Sequence, residues 1–235
     1  MRVIVALMAC LMLVACVEGV PAGGKARVLA MGDSLMAWNS GRGQSVAHAL
    51  EARLATPVVD RSVPGASFLY GLPISGSLGL RIERQFVDGD WDWVVLNGGG
   101  NDFLLRCNCS RCDRVLDRLI SQDGTGGEVP ALVASLRATG AKVAYLGYLR
   151  TPGVTSSIER CGAIGAQVHV IGGVIGDRFE ARLARMAARD SGVVFVSNAR
   201  LVPDGDRSFH AQDLIHPSAK GSAAIAAQVA RVIAP

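Results

Sequence analysis

Two short segments near opposite ends of the chain carry residue types that together can do nucleophilic chemistry. Ser34 ends a Gly-Asp-Ser segment, and Asp213 and His216 lie three residues apart near the C-terminus. A serine hydroxyl becomes a good nucleophile when a base takes its proton, and histidine can do this near neutral pH. The histidine needs a partner that fixes its tautomer. A helical turn at this point would place Asp213 and His216 on one face.

Acyl transfer to such a serine also needs hydrogen-bond donors for the oxyanion that forms. The backbone N–H groups of Ser34 and Gly65 and the side-chain amide of Asn101 are the candidates, because each follows a predicted strand. Each residue alone has a simpler interpretation. A serine in this context can cap a helix, and a glycine after Pro64 can simply form a turn.

The elements that must position these residues follow an alternating pattern. Apolar strands are predicted at 27–31, 58–59, 93–96, 142–146 and 193–196. Helices are predicted at 44–55, 80–86, 112–121, 129–139, 177–189 and 218–233, and 151–176 is not assigned. This alternation predicts an α/β fold of three layers, α/β/α, with a five-stranded parallel, flavodoxin-like sheet. Ser34, Gly65 and Asn101 then meet at the carboxyl edge of the sheet, where such folds bind ligands.

The N-terminal segment is predicted to be an export signal at 1–15, followed by a tether at 16–26 and one domain at 27–235. Val3 to Val14 is nearly all apolar but shorter than the roughly 20 residues that span a bilayer. Leu-Val-Ala before Cys16 is typical of a lipoprotein signal, in which Cys16 becomes lipidated. Ordinary cleavage near Pro21 and a buried N-terminal helix are the alternatives. We expect a bacterial envelope or periplasmic protein, lipid-anchored or otherwise secreted.

Composition narrows the classes of partner and site. The chain is 50% hydrophobic and has a net charge of +4 spread without a basic run, which excludes a nucleic-acid footprint. Four cysteines lie in the domain: Cys107, Cys109, Cys112 and Cys161. An even number in an exported chain favours disulfides, with the pairing open. Zinc is the weaker interpretation, because the fourth ligand is distant and no His-x-His accompanies the cluster.

Four blocks of the sequence resemble those of one known family. The blocks are Gly32-Asp33-Ser34-Leu35, Gly65, Gly99-Gly100-Asn101-Asp102 and Asp213-x-x-His216. In this order they resemble the SGNH hydrolases, also called the GDSL lipase/esterase family, across 27–234. The resemblance implies a serine esterase of the SGNH hydrolase fold, with Asn101 in the oxyanion hole and no metal or cofactor. Its substrate would be a small-molecule, lipid or glycan ester, and we expect a monomer.

Two features depart from that family pattern. No asparagine comes shortly before Gly65, where the family often has one, so the identity of the oxyanion glycine is the weakest of the matches. The cysteine cluster is not part of the pattern, and we expect its disulfides to staple the loop that walls the pocket. His48, His169 and His210 match no block, and His210 is a weak rival base. Asp102 is expected to brace its turn.

Three other classes of protein fit the sequence less well. An α/β-hydrolase would carry Gly-x-Ser-x-Gly, which is absent. A nucleotide- or flavin-binding module would carry a Gly-x-Gly-x-x-Gly or Walker loop, also absent. A non-catalytic, carbohydrate-binding lipoprotein on the same scaffold remains the alternative. The apolar residues near the motifs could line an acyl pocket or belong to the core: Leu35, Met36, Trp38, Phe68, Leu69, Tyr70 and Phe103.

Overall fold

A five-stranded parallel sheet forms the centre of the protein. The structure, a computed structural model, describes residues 27–107, 112–150 and 174–234. The strands are β1 (Val28–Met31), β2 (Val58–Asp60), β3 (Trp93–Asn97), β4 (Lys142–Leu146) and β5 (Val193–Val196). They pair in the order β2-β1-β3-β4-β5, all parallel, as the sequence pattern predicted. The chain order therefore reverses beside β1, the place where open α/β sheets bind ligands.

Helices cover both faces of this sheet. They are α1 (Ser34–Ala37), α2 (Val46–Leu54), α3 (Gly100–Arg106), α4 (Cys112–Leu119), α5 (Glu128–Ala138), α6 (Val174–Ala187) and α7 (Ala219–Ile233). On one face, Leu50 of α2 and Ile225 of α7 pack against the sheet. On the other, Leu119 of α4, Leu136 of α5 and Phe179 of α6 do the same. The three-layer α/β/α arrangement is confirmed.

The strands are apolar on both sides because both sides are buried. In β1, Leu29 and Met31 join one core, whereas Val28 and Ala30 join the other. A strand covered on both faces has a continuous apolar run rather than alternating polarity. The apolar run of β1 ends just before the polar residues Asp33 and Ser34, at the edge where the sheet meets the candidate site.

One predicted helix, at 80–86, is wrong. Gly76–Leu80 forms a wide turn in which Gly79 has φ +96°, outside the helical region. Arg81 then pairs with Ser67 in an isolated parallel bridge, and a 3-10 turn covers Ile82–Gln85. Two short helices, α1 and α3, were not predicted. Helices of four and seven residues are too short for periodicity to reveal.

The predicted export signal and tether, including Cys16, lie outside the described residues, as does 151–173 of the unassigned segment. Within the part of the chain that the structure covers, every helix is too short or too polar to cross a membrane.

Candidate active site

The nucleophile turn, defined here as Gly32–Ser34, begins where β1 ends. Asp33 is the N-cap of α1, and its carboxylate accepts the Leu35 N–H at 2.9 Å, so Ser34 becomes the first helical residue. An N–H at the first turn of a helix has no acceptor inside the helix, which leaves the Ser34 N–H for a ligand. Gly32 lies so close to β3 that a Cβ there would be 2.4 Å from Asn97 Oδ1. This turn therefore requires glycine at position 32.

The histidine loop, defined here as Asp213–His216, is organised by one carboxylate. Asp213 Oδ1 accepts the N–H groups of Ile215 at 2.9 Å and His216 at 3.0 Å, and Oδ2 lies 2.6 Å from His216 Nδ1. Leu214 has φ +58°, so the turn is not the helical one expected from the spacing. Helix α7 has Ser218 as its N-cap, so the histidine loop ends two residues before the helix cap.

The fold brings these two segments into contact across 182 residues of sequence. His216 Nε2 lies 2.9 Å from Ser34 Oγ. With a proton on Nδ1 facing Asp213, Nε2 is free to accept the serine proton. Partial burial raises the pKa of Asp213, but the hydrogen bonds from the His216 ring and from two backbone N–H groups outweigh it and hold that pKa below its ordinary value. Asp213 therefore stays ionised beside His216.

The oxyanion candidates are placed unequally. Asn101, on α3, lines the same pocket as Ser34 and His216, and its Nδ2 donates to the Ala66 carbonyl at 2.9 Å. That bond joins Asn101 to the turn of Gly65, an exposed residue with φ +82°. Gly65 does not itself line the pocket. The structure therefore places Ser34 and Asn101 directly at the site and Gly65 next to it.

Buried polar residues that the sequence analysis did not single out anchor the nucleophile turn. Asn97 Oδ1 accepts the Asp33 N–H at 3.0 Å. Gln85 Oε1 accepts the Gly32 N–H at 2.6 Å, and its Nε2 donates to the Gly32 carbonyl at 2.8 Å. The available signal for Asn97 was a polar residue ending an apolar strand. For Gln85 there was none, because its partners come from distant segments.

Tyr148, just after β4, connects the nucleophile turn to the start of α3. Its hydroxyl donates to Asp33 Oδ2 and accepts the Gly100 N–H at 2.8 Å. Burial raises the pKa of Asp33, and the hydrogen bonds from Tyr148 and Leu35 offset part of that rise. Burial and the nearby Asp33 raise the pKa of Tyr148 well above its ordinary value, so the hydroxyl keeps its proton.

Asp102 has a bracing role, as expected, and it joins α3 to the segment at 68–69. Its carboxylate accepts the N–H groups of Phe68 at 3.0 Å and Leu69 at 2.8 Å. Burial raises its pKa to about 6, although those two hydrogen bonds act in the opposite direction. Because Asp102 is fully buried and not part of the pocket lining, it holds the 68–69 segment against α3 and does not face a ligand.

The remaining histidines do not rival His216 in the described part of the chain. His210 is buried, neither ring nitrogen has a hydrogen-bond partner among the described residues, and burial lowers its pKa. His48 Nδ1 lies 2.8 Å from Ser45 Oγ, at the start of α2. His169 lies outside the described residues.

One disulfide is present in the described chain. Cys107 and Cys112 are joined, with their Cα atoms 4.6 Å apart, and the bond follows α3, which carries Asn101. It therefore lies at the end of the pocket wall, where a staple was expected. Cys109 and Cys161 lie outside the described residues. Within those residues, no group of three His, Cys, Asp or Glu side chains could hold a metal ion.

The pocket beside Ser34 has a cavity volume of about 130 Å³. Its lining residues are Asp33, Ser34, Leu35, Gly100, Asn101, Leu104, Tyr148, Leu149, Ile215 and His216. Of the apolar residues singled out from the sequence, Leu35 lines this pocket. The others lie elsewhere: Met36, Phe68, Leu69 and Phe103 are in the core, Tyr70 bonds to Ser75, and Trp38 stacks on His216.

Comparison with known proteins agrees with this architecture. An extracellular lipase from Streptomyces rimosus is 16% identical, with a TM-score of 0.58 over 88% of this chain and 99% of the other. Phospholipase A1 from Streptomyces albidoflavus NA297 is 18% identical, with a TM-score of 0.59 over 87% and 98%. The lipase Lip_vut3 from a goat rumen metagenome is 16% identical, with a TM-score of 0.55 over 88% and 97%. At these identities the likeness shows the fold alone.

Sequence comparison assigns the family. No curated protein matches this sequence. The profile of the GDSL-like lipase/acylhydrolase family, however, matches residues 30–224, which include both the nucleophile turn and the histidine loop. The chain therefore belongs to the GDSL-like lipase/acylhydrolase family and has the SGNH hydrolase fold.

Proposed function

We propose that this protein hydrolyses carboxylic esters through an acyl-enzyme formed on Ser34. The observation that carries the proposal is the chain of two contacts, Ser34 Oγ to His216 Nε2 at 2.9 Å and His216 Nδ1 to Asp213 Oδ2 at 2.6 Å. This order of nucleophile, base and orienting carboxylate is what acyl transfer to serine requires. The chain of contacts opens into the pocket beside Asn101.

Each step of the proposed reaction is assigned to Ser34, His216, Asp213 or an oxyanion donor, of which Gly65 lies beside the pocket and not in its lining. Ser34 Oγ attacks the carbonyl carbon while His216 Nε2 takes its proton, and Asp213 stabilises the resulting imidazolium. The Ser34 and Gly65 N–H groups and the Asn101 amide hold the oxyanion. The tetrahedral intermediate then expels the alcohol, which takes the proton from His216. Water, deprotonated by His216, attacks the acyl-enzyme, and this second intermediate expels Ser34 Oγ, which takes the proton back from His216 as the carboxylic acid is released.

The pocket lining favours an uncharged acyl group. Leu35, Leu104, Leu149 and Ile215 give the wall its apolar surface. Among the described residues, Asp33 is the one carboxylate in the lining, and it is buried and already bonded to Tyr148. A short or medium acyl chain would bury apolar surface there, whereas a charged acyl group would lose its hydration without gaining a partner from this described lining.

A groove on the other side of the histidine loop has several polar side chains in its lining, which favours an alcohol group with hydroxyls. It is lined by Trp38, Asp213 and the polar side chains of Asn39, Arg42, Gln44 and Gln212, among others. Sugar hydroxyls suit such groups because the side-chain amides both donate and accept hydrogen bonds, and the guanidinium donates them. The same groove supports the second candidate function, a glycan-binding protein that does not turn its ligand over.

The decisive experiment is hydrolysis of p-nitrophenyl esters from acetyl to long acyl chains by the wild-type protein and Ser34→Ala. We expect turnover of short and medium chains that is lost in Ser34→Ala, with the folded state unchanged. A folded wild-type protein without turnover on any chain, but with measurable binding of oligosaccharides by calorimetry, would replace the esterase proposal by the glycan-binding one.

We further propose that the protein acts outside the cytoplasm, anchored by lipid on Cys16. The support is the apolar run before Cys16 and the Cys107–Cys112 disulfide, since such bonds persist in oxidising compartments. Labelling with a radioactive fatty acid in a bacterial host should mark the wild-type protein and not Cys16→Ser. Equal labelling, or none in either, would contradict the anchor.

A further inference from the structure

His216 is held by more than its two ring nitrogens. The indole of Trp38 stacks on the imidazole, with ring centroids 3.7 Å apart and planes inclined by 4°. Hydrogen bonds at Nδ1 and Nε2 fix two atoms of the ring but still allow it to tilt about the line between them. A flat ring packed on one face opposes that tilt, and an indole face also stabilises the positive charge that appears during turnover.

Asn39, the residue after Trp38, contacts the backbone just after His216. Its Nδ2 donates to the carbonyl of Pro217, the residue after His216, at 3.1 Å. Asn39 has φ +67°, a left-handed conformation that asparagine tolerates better than most residues. Its own carbonyl accepts the N–H groups of Arg42 at 3.0 Å and Gln44 at 3.1 Å, which fixes the turn that aims the amide.

Both residues belong to the element that carries the nucleophile. Trp38 closes α1, and its N–H donates to the Ser34 carbonyl at 2.9 Å. The position of His216 is therefore set relative to the same backbone turn that presents Ser34 Oγ. The contacts from Trp38 and Asn39 are important because, among the described residues, the other backbone hydrogen bonds of the histidine loop stay within 209–218. One of them joins the Ala211 N–H to the His216 carbonyl at 2.8 Å.

We propose that Trp38 and Asn39 are positioning residues that hold His216 at the proton-transfer distance from Ser34. The inference rests on the proposed esterase function and adds to it residues outside the four sequence blocks. Neither residue lines the pocket beside Ser34, so they act on the base and not on the bound acyl group. Loss of either side chain is expected to lower kcat while KM for a small acyl ester stays unchanged.

The first test compares Trp38→Leu, Trp38→Phe and Trp93→Leu on a p-nitrophenyl ester. Trp93 is the matched control, a half-buried tryptophan at the far end of β3 that packs with Lys142. Trp38→Leu should lower kcat roughly 3- to 30-fold with KM within about twofold, as expected for loss of a stacked and partly charged contact. Trp38→Phe keeps an aromatic face, so its kcat should stay close to that of the wild-type protein.

A second variant keeps the proposal testable if Trp38→Leu does not fold. Asn39→Gly preserves access to the left-handed conformation and removes the hydrogen bond to Pro217, and it should lower kcat roughly 2- to 10-fold. A kcat within twofold of wild type in Trp38→Leu, or in Asn39→Gly when Trp38→Leu is unfolded, would overturn the proposal. So would a rise in KM with kcat unchanged, or an equal loss in Trp93→Leu.

An activity-independent measurement separates this proposal from the esterase function. The ring C–H resonances of His216, assigned by their loss in His216→Gln, should be shifted upfield by the indole and move downfield in Trp38→Leu. If the wild-type protein has no Ser34-dependent turnover, the esterase function fails, and these resonances alone decide whether Trp38 holds the ring. Unchanged resonances in Trp38→Leu would show that it does not.

Discussion

The nucleophile turn and the histidine loop contribute to one site but are stabilised in different ways. The turn around Asp33 is buried and bonded to residues far away in sequence, including Asn97 and Tyr148. The histidine loop is partly exposed, and its main hydrogen bonds run from Asp213 to residues two and three positions later. One region is positioned by the whole fold. The other has an internal shape set by its own local sequence, and its contacts with the rest of the site come from Trp38 and Asn39.

This difference predicts that changes in the two regions fail in different ways. A buried turn with long-range partners cannot change without disturbing the core, so its variants should lose stability. An exposed loop with local bonds contributes little to the core, so its variants should lose catalysis while the fold persists. The carboxylates also differ, because burial raises the pKa of Asp33 and Asp102 while hydrogen bonds lower that of Asp213.

The largest expected effect lies in the histidine loop. Asp213→Asn should lower kcat by about 10⁴-fold, because the amide stabilises neither the required histidine tautomer nor the imidazolium. Urea unfolding should change much less than in Gly32→Ala, since Asn keeps an oxygen for the Ile215 and His216 N–H groups and only the contribution of the charged carboxylate is lost. Asp206→Asn is the control, a similar turn-capping aspartate that accepts the Ser208 N–H at 2.8 Å. Loss of folding in Asp213→Asn would break the comparison.

The matching change in the nucleophile turn is Gly32→Ala. The new Cβ would lie 2.4 Å from Asn97 Oδ1 and 2.8 Å from the Asn97 carbonyl oxygen, and that backbone atom belongs to a central strand. We expect the free energy of unfolding to fall by about 3 kcal/mol or more. Gly41→Ala should leave stability nearly unchanged, because nothing lies within 4 Å of a Cβ there. Equal stability of both variants would contradict the buried anchoring of the turn.

The pH dependence of stability should separate the buried carboxylates, Asp33 in the nucleophile turn and Asp102 on the neighbouring α3, from Asp213 of the histidine loop by sign. The folded pKa of Asp102 is raised to about 6, so its contribution to the free energy of unfolding is fully present below pH 4 and is lost as pH rises through about 6. Asp33 adds to the same direction. Asp213 acts oppositely, since its lowered pKa gives stability above pH 4 that is lost on further acidification.

Urea unfolding between pH 3 and 7 tests this for the wild-type protein and Asp102→Asn. The variant should lack the Asp102 contribution, a decline of about 2–3 kcal/mol between pH 4 and 6. Subtracting the two curves removes the histidines from the comparison. Identical slopes would mean that the Asp102 carboxyl titrates like an exposed one in the folded state.

The smallest of these effects is expected for Tyr148→Phe. The Tyr148 hydroxyl donates to the Asp33 carboxylate and accepts the Gly100 N–H. Its loss leaves both buried groups without this partner. We expect a loss of about 1–3 kcal/mol in the free energy of unfolding. Tyr70→Phe is the control, because its hydroxyl bonds only partly buried Ser75. If both variants lose the same amount, the network at Asp33 is no stronger than an ordinary half-buried contact.

The sequence alone determined the fold class and the catalytic candidates of this protein. Apolar strands such as 142–146 and 193–196 were predicted with the boundaries that the structure shows, because both faces of a parallel sheet must be apolar. Ser34, Asn101 and His216 were singled out as candidates because acyl transfer restricts residue type and order more strongly than packing does. The prediction of a helix at 80–86 was wrong, because Arg81 is extended and pairs with Ser67, a contact that no local pattern marks.

Only the tertiary structure decided what holds those candidates in place. Gln85, Asn97, Trp38 and Tyr148 reach Gly32, Asp33 and His216 from segments tens of residues away or from a turn too short to have a periodic pattern. Their residue types fit a core or a surface equally well, so no local signal marks them. A catalytic residue is recognised by its chemistry, whereas a residue that positions it is defined by a distance, and distances exist only once the chain has folded.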